Sequence, residues 1–337
     1  MDIDIKFDEK ALPTYKRVVP GNFVIHLRSF QGGLAYSDIE GVISPAYVIL
    51  EPKAPIEDDY YKYLFQSTDY IKRLNVAVYG IRDGKQISYE SFGMINIPLP
   101  PLAEQRAIAE ILTTADRLIE VKERLIAAKR TQKRWLMSHL LTGKLRLPGF
   151  SGAWESVRLG EVCVFRDSER KPIEVQERKK RQGIYPYYGA SGIIDYVDNY
   201  IFDESLILLG EDGANILNRS TPLAFIATGK YWVNNHAHII QPLPSYDITF
   251  LCGRLEVIDY MVYNTGTAQP KLNQDVCKRI KLTIPTLPEQ QAIAAVLTAA
   301  DREIELLMRE LEQQRLVKKY LMQQLLTGRI RTKGATV

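Results

Sequence analysis

The chain has 337 residues, 46% hydrophobic and 25% charged, an ordinary globular composition with room for two domains of roughly 100 to 200 residues each. The formal net charge is only +4, from 44 Lys plus Arg against 40 Asp plus Glu, so a polyanionic partner would have to be met by locally clustered charge. Three cysteines without a CxxC pair, Cys163, Cys252 and Cys277, point away from a zinc site or a disulfide scaffold and toward a reducing cytoplasm, and no apolar run approaches the ~20 residues that span a bilayer.

Taken in chain order, residues 1–99 hold short apolar runs between turns, NFVIHLRSF, GVISPAYVILEP and NVAVYGIR. They predict strands, with the Tyr-rich DDYYKYLFQSTDYIKRL as one helix between the last two. Residues 100–147 predict one long helix, starting after Pro101 with Glu104 in its first turn and stopping at Gly143. Residues 148–284 alternate apolar or aromatic runs with Gly, Asn, Asp and Pro turns, a mostly β domain with a short helix near DITFLCGRLEVIDYMVYNT. Residues 285–337 predict a second long helix, after Pro288 with Glu289 in its first turn, ending at Gly328.

The two helices are copies. Residues 100–146 match 285–331 with a constant shift of 185 (285 minus 100) and no gap, about half of the positions being identical. About 39 residues without internal Pro or Gly make a helix of roughly 60 Å. Ile108, Leu112, Ala115, Ile119, Ile126, Leu136 and Leu140 in the first copy, and Ile293, Leu297, Ala300, Ile304, Leu307, Leu311, Leu321 and Leu325 in the second, recur in steps of four and three, the pattern of a coiled-coil seam. Lys122, Lys129 and Lys133 interrupt the first seam, which disfavours a homodimeric zipper and favours antiparallel pairing of the two copies within the chain. The expected fold is α+β: two mixed globules separated by two long helices in an antiparallel coiled coil.

These features resemble the specificity subunit of type I DNA restriction-modification systems. The likeness is carried by LAEQ at 102–105 and LPEQ at 287–290 entering the helices, by LLTGKLR and LLTGRIR leaving them, and by WESVRLGEV from Trp154, YGASG at 188–192 and GTAQPKLN at 266–273. The resemblance implies a non-catalytic chain with two target-recognition domains, 1–99 and 148–284, each reading one half of a split site on double-stranded DNA, with the coil as a ruler between them. It also implies docking of methyltransferase subunits and, through them, a restriction and translocase subunit. Cofactors would sit on those partners, S-adenosylmethionine, ATP and Mg, with none in this chain. In keeping with this, the sequence has no GxxxxGK[ST] loop and no Asn-Pro-Pro-Tyr or Asp-Pro-Pro-Tyr stretch. Aligning Gly80 with Gly266 and Phe23 with Leu206 leaves the first globule without a counterpart of roughly thirty residues around Trp154, so a shortened first recognition domain is expected. The alternative is a coiled-coil scaffold, or a partly inactive subunit in which only the second globule reads DNA.

Candidate DNA contacts fall in five segments. The segment 170–183 carries six basic residues. It is expected to be a flexible loop whose Lys171, Lys179, Lys180 and Arg181 follow phosphates; the competing reading is a solvated loop. Tyr188 precedes and Ser191 lies within the GASG turn, whose small residues suit close approach to a groove; a tight hairpin with core tyrosines competes, and is favoured for Tyr185 and Tyr187. In GTAQPKLN, Thr267, Gln269, Lys271 and Asn273 combine amides suited to adenine with a cation suited to guanine or phosphate; a polar linker competes. In the first globule Arg82, Lys85 and Gln86 occupy the corresponding stretch, and Arg28, Ser29 and Gln31 sit on another Gly-rich turn. His236 and His238, two apart in WVNNHAHII, would share one face of a strand as a possible start of a metal site, but two ordinary histidines are the favoured reading.

Overall fold

The computed structural model describes residues 13–25, 34–78, 89–266 and 269–332. In chain order the first globule contributes β1 (Lys16–Val18), β2 (Phe23–Ile25), β3 (Leu34–Tyr36), β4 (Gly41–Ile43), β5 (Val48–Leu50), α1 (Asp58–Gln66), α2 (Thr68–Val78) and α3 (Tyr89–Gly93). The long helix α4 (Leu102–Leu140) follows. The second globule holds β6 (Glu155–Arg158), α5 (Leu159–Val162), β7 (Cys163–Phe165), α6 (Val175–Lys180), β8 (Gln182–Gly189), β9 (Gly192–Val197), β10 (Phe202–Asp203), β11 (Leu206–Gly210) and α7 (Asn215–Asn218). It continues with β12 (Ala224–Ala227), β13 (Lys230–Val233), β14 (Ala237–Pro242), α8 (Ile248–Glu256), α9 (Gln274–Lys278) and β15 (Lys281–Ile284), and the chain closes with the long helix α10 (Leu287–Leu325).

The chain forms two compact units. One takes the residues up to Ile126 together with those from Leu307 onward; the other runs from Ala127 to Leu306. In the first unit the three-stranded sheet β3-β2-β5 and helices α1 and α2 bury an aromatic core of Phe23, Tyr60, Tyr61, Phe65 and Tyr70, which continues into Ile108 and Leu112 of α4 and Leu325 of α10. The Tyr-rich segment is two helices rather than the one expected. Ser67 between them is extended (φ −68°, ψ 143°) and its hydroxyl accepts from the Tyr70 backbone N–H at 3.2 Å, a serine cap that starts a new helix.

The second unit stacks two four-stranded sheets, β12-β11-β14-β7 and β10-β13-β8-β9. Strand β11, LILLG, is buried throughout and pairs antiparallel with β12 and β14. The main core gathers β11, β14, α8 and α9 around Leu140 of α4, Leu141 just after it, and Ile293 and Leu297 of α10.

Both long helices have 39 residues, as the repeat predicts. Pro288 lies inside the first turn of α10 rather than before it, a position proline tolerates because those N–H groups lack helical partners. Gly143 (φ +73°) and Gly328 (φ +70°) adopt the left-handed conformation that ends each helix, and Leu145 N–H donates to His139 O as Ile330 N–H donates to Gln324 O. Pairing between the helices is antiparallel within each unit. In the first, Asp116 meets Lys318, Lys122 meets Glu310 and Glu123 meets Arg315. In the second, Lys129 meets Glu303 and Lys133 meets Asp301. The three lysines that interrupt the seam are therefore its cross-helix partners, long side chains that cover apolar surface while their ammonium groups reach acids at 2.5–2.6 Å.

Candidate nucleic-acid interface

In the second unit, four loops converge beside the end of β11. Strands β8 and β9 form a hairpin closed by Ala190 and Ser191, with Gly192 at φ +120°. The tip packs on Gly210: a Cβ there would stand 2.6 Å from the Ala190 carbonyl oxygen, so this contact requires glycine. From the same strand end Glu211 N–H donates to His236 O, and Leu272 N–H donates to Glu211 O at 2.8 Å. Asp212 bridges Lys271, and Gly213 N–H donates to Pro270 O. Asn264 ties the base of the fourth loop, its Oδ1 accepting from Gly266 N–H and Lys271 N–H.

A buried polar network holds these loops from beneath. His238, 1% exposed, approaches Asp167 Oδ2 with Nδ1 at 2.6 Å and Leu272 O with Nε2 at 2.8 Å. Both ring nitrogens face acceptors, which requires a doubly protonated imidazolium. Burial alone would lower the His238 pKa, but the Asp167 hydrogen bond and charge, with Cys277, outweigh it and raise it to about 10. Burial would likewise raise the Asp167 pKa, and the His238 contact holds it below the usual carboxylate range. Arg170 donates to Glu211 Oε2 at 2.6 Å and to Ala237 O, while Gln274 donates to Asp167 Oδ2 at 2.8 Å.

The expected contacts separate into two groups. Ser191, Gln269, Lys271 and Asn273 are exposed on or beside the converging loops; Lys271 Nζ lies 3.3 Å from Glu211, and Asn273 caps α9 through its backbone without engaging its side chain. Tyr188 is half-buried, its ring packed on Phe225 and Tyr231, and Tyr187 is in the core. Lys179, Lys180 and Arg181 lie toward the other end of the hairpin, about 20 Å away along seven residues of β8, whereas Lys171 directly follows Arg170 and its carbonyl accepts from Trp232 Nε1. The expected flexible loop contains helix α6, and three of its arginines are tied down: Arg170 to Glu211, Arg178 to Asp195, and Arg181 to Asp198 at 2.9 Å and over the Trp232 ring. Lys171, Lys179 and Lys180 stay exposed with no ion pair among the described residues. Arg28, Ser29, Gln31, Arg82, Lys85, Gln86 and Thr267 lie outside the described residues.

The two histidines do not share a strand face. His236 sits in the turn before β14, half exposed and bonded to Asp212 at 2.8 Å, whereas His238 is buried in the strand. Among the described residues no group of three metal-ligating side chains is assembled, and no described helix is long and apolar enough to cross a membrane. The network of Asp167, Arg170, Glu211 and His238 escaped the sequence reading; its one local signal was a histidine inside the apolar run AHII.

Residues 13–128 and 152–314 match the model of the type I restriction modification DNA specificity domain. The chain belongs to that family. As a specificity subunit it supplies DNA selection rather than catalysis and carries no cofactor of its own. It is 29% identical over 336 residues to the type I restriction enzyme MjaVIII specificity subunit of Methanocaldococcus jannaschii, covering 88% of this chain and 76% of that one. A match to the putative specificity subunit S.HindORF215P of Haemophilus influenzae is 32% identical but covers 45% of this chain and 38% of that protein. The fold is that of the type I S subunit from M. genitalium (TM-score 0.58, 16% identity, 92% of this chain and 84% of that one). It is also that of the HsdS subunit from Thermoanaerobacter tengcongensis (TM-score 0.52, 17% identity, 94% and 83%).

Proposed function

We propose that this specificity subunit reads a bipartite sequence in double-stranded DNA, one half through each globule, and places methyltransferase and restriction subunits on it in the cytoplasm. The observation that supports the reading best is the convergence of Ser191, Gln269 and Lys271 beside the end of β11, exposed side chains of the base-reading types held on a buried ionic network. Lys179 and Lys180, farther along the hairpin, suit phosphates, which position the protein on the duplex without reading sequence.

The test is selection of bound duplexes from a random pool across a salt series, by the chain alone and with its methyltransferase subunits. Two enriched halves with a fixed gap are expected. A single enriched half would assign reading to one globule only, and salt-sensitive binding without enrichment would overturn the proposal in favour of a scaffold.

A further inference from the structure

In the unit that contains the first globule, α2, the segment 96–98 and the last turns of α10 enclose a groove of about 790 Å³, within the range of sites for small ligands. Six cations line it, Lys72, Arg73, Arg315, Lys318, Lys319 and Arg329, against one carboxylate, Asp69. Three of the cations are committed: Arg73 to Asp69, Arg315 to Glu123 and Lys318 to Asp116. Lys72, Lys319 and Arg329 are exposed and have no ion pair among the described residues.

Three like charges around one concavity focus a positive potential that no ion pair among the described residues neutralises. The first turn of α2 also lines the groove and adds the positive end of its dipole. Tyr70, another lining residue, is 2% exposed, and its hydroxyl has no hydrogen-bond partner among the described residues. Leu64, Ile97, Met322 and Leu326 supply apolar wall. The groove is not a product of the repeat. Lys318, Lys319 and Arg329 have basic counterparts in Lys133, Arg134 and Lys144, 185 residues earlier, but the second globule follows α8 with the turn Tyr260–Tyr263, which has no cation to match Lys72.

We propose that this groove binds a phosphate ester: a phosphodiester of DNA flanking the sequence read, or a free nucleotide. The nucleotide arm is independent of the DNA-reading proposal, and the DNA arm rests on it.

The experiment compares the full chain with the triple variant Lys72→Gln, Lys319→Gln, Arg329→Gln, using ATP without added metal in one titration and a fixed duplex over a salt series in the other. If the ligand is a DNA phosphodiester, the slope of log K against log salt becomes shallower by about 2 to 3, near 0.9 for each lost contact, while the enriched consensus is unchanged. If it is a nucleotide, the wild type binds ATP and the variant binds at least about tenfold more weakly, a change of roughly one unit in log K. Unchanged slope and no difference in ATP binding would overturn the proposal. Loss of consensus enrichment already in the wild type would overturn the DNA-reading function instead. Should the triple variant fail to fold, the single variant Lys319→Gln, at an exposed helix position, reads the same slope with a change of about 0.9.

Discussion

Arg331 grips Glu104 with two parallel hydrogen bonds, Nε to Oε1 at 2.5 Å and Nη2 to Oε2 at 2.6 Å. One repeat away, Arg146 holds Glu289 in the same way at 2.6 and 2.7 Å. In each unit the glutamate entering one long helix is thus clamped by the arginine leaving the other. The next residue completes the motif. Gln105 accepts from the Glu57 N–H before α1 and donates to Pro100 O, and Gln290 accepts from the Asp247 N–H before α8 and donates to Pro285 O. Glu-Gln at the helix entry and Arg after the exit glycine are therefore two halves of one joint between coil and globule.

The clamp is asymmetric in burial: Glu289 is 3% exposed and Arg146 27%. Arg146→Met strands a buried carboxylate, the costly way to break such a pair, and should lower the melting temperature of that unit more than Glu289→Gln does. Replacing both residues by apolar ones should recover part of the loss, for a non-additivity of about 2–4 °C, roughly one kcal/mol for a unit of this size. Calorimetry of the two single variants and the double variant measures it; strict additivity would refute the clamp.

Stability should fall in alkali through His238. Its folded pKa, raised to about 10, lies above the ordinary value near 6.5. The folded state therefore binds the proton more tightly, and this contribution is complete below about pH 6.5 and lost as pH rises toward 10. Asp167, held low, contributes above its ordinary range and loses that contribution as acid drives pH down through its depressed folded pKa. Chemical denaturation across pH 6 to 10 should show a declining midpoint in the wild type and a flatter profile in His238→Gln; equal slopes would contradict the assignment.

The two groups of candidate contacts should separate experimentally. Gln269→Ala and Lys271→Ala should each weaken binding to the selected duplex by about 1–3 kcal/mol and relax preference at particular bases, whereas Lys179→Ala and Lys180→Ala should weaken all duplexes alike and reduce the salt slope by about 1 each. Binding isotherms on selected and scrambled duplexes distinguish the two behaviours.

The coil register can be tested by charge swap. Lys122→Glu, Lys129→Glu and Lys133→Glu together should destabilise the chain by about 1–3 kcal/mol, since partly exposed pairs are worth about 0.2–1 each and like charges would then face one another. Adding Glu310→Lys, Glu303→Lys and Asp301→Lys should restore stability. Thermal unfolding that ignores the compensating swap would exclude this pairing.

The repeat, the 39-residue helices, their apolar seam and their glycine stops were legible in the sequence because each is set by local periodicity and by backbone conformations that only a few residue types adopt. The break at Ser67 and the helix in the basic segment were less so. There a side-chain cap, and the ion pairs of Arg178 and Arg181 with Asp195 and Asp198 across the hairpin, decide between loop and helix. What the sequence by itself determined is the order globule, helix, globule, helix, and the family. Tertiary structure alone decided that Glu104 meets Arg331 across 227 residues, and that Asp167 and His238 together hold the loop of Gln269 and Lys271. Partners so far apart in sequence leave no periodic trace, and a charged side chain reads alike whether it faces water or a buried opposite charge.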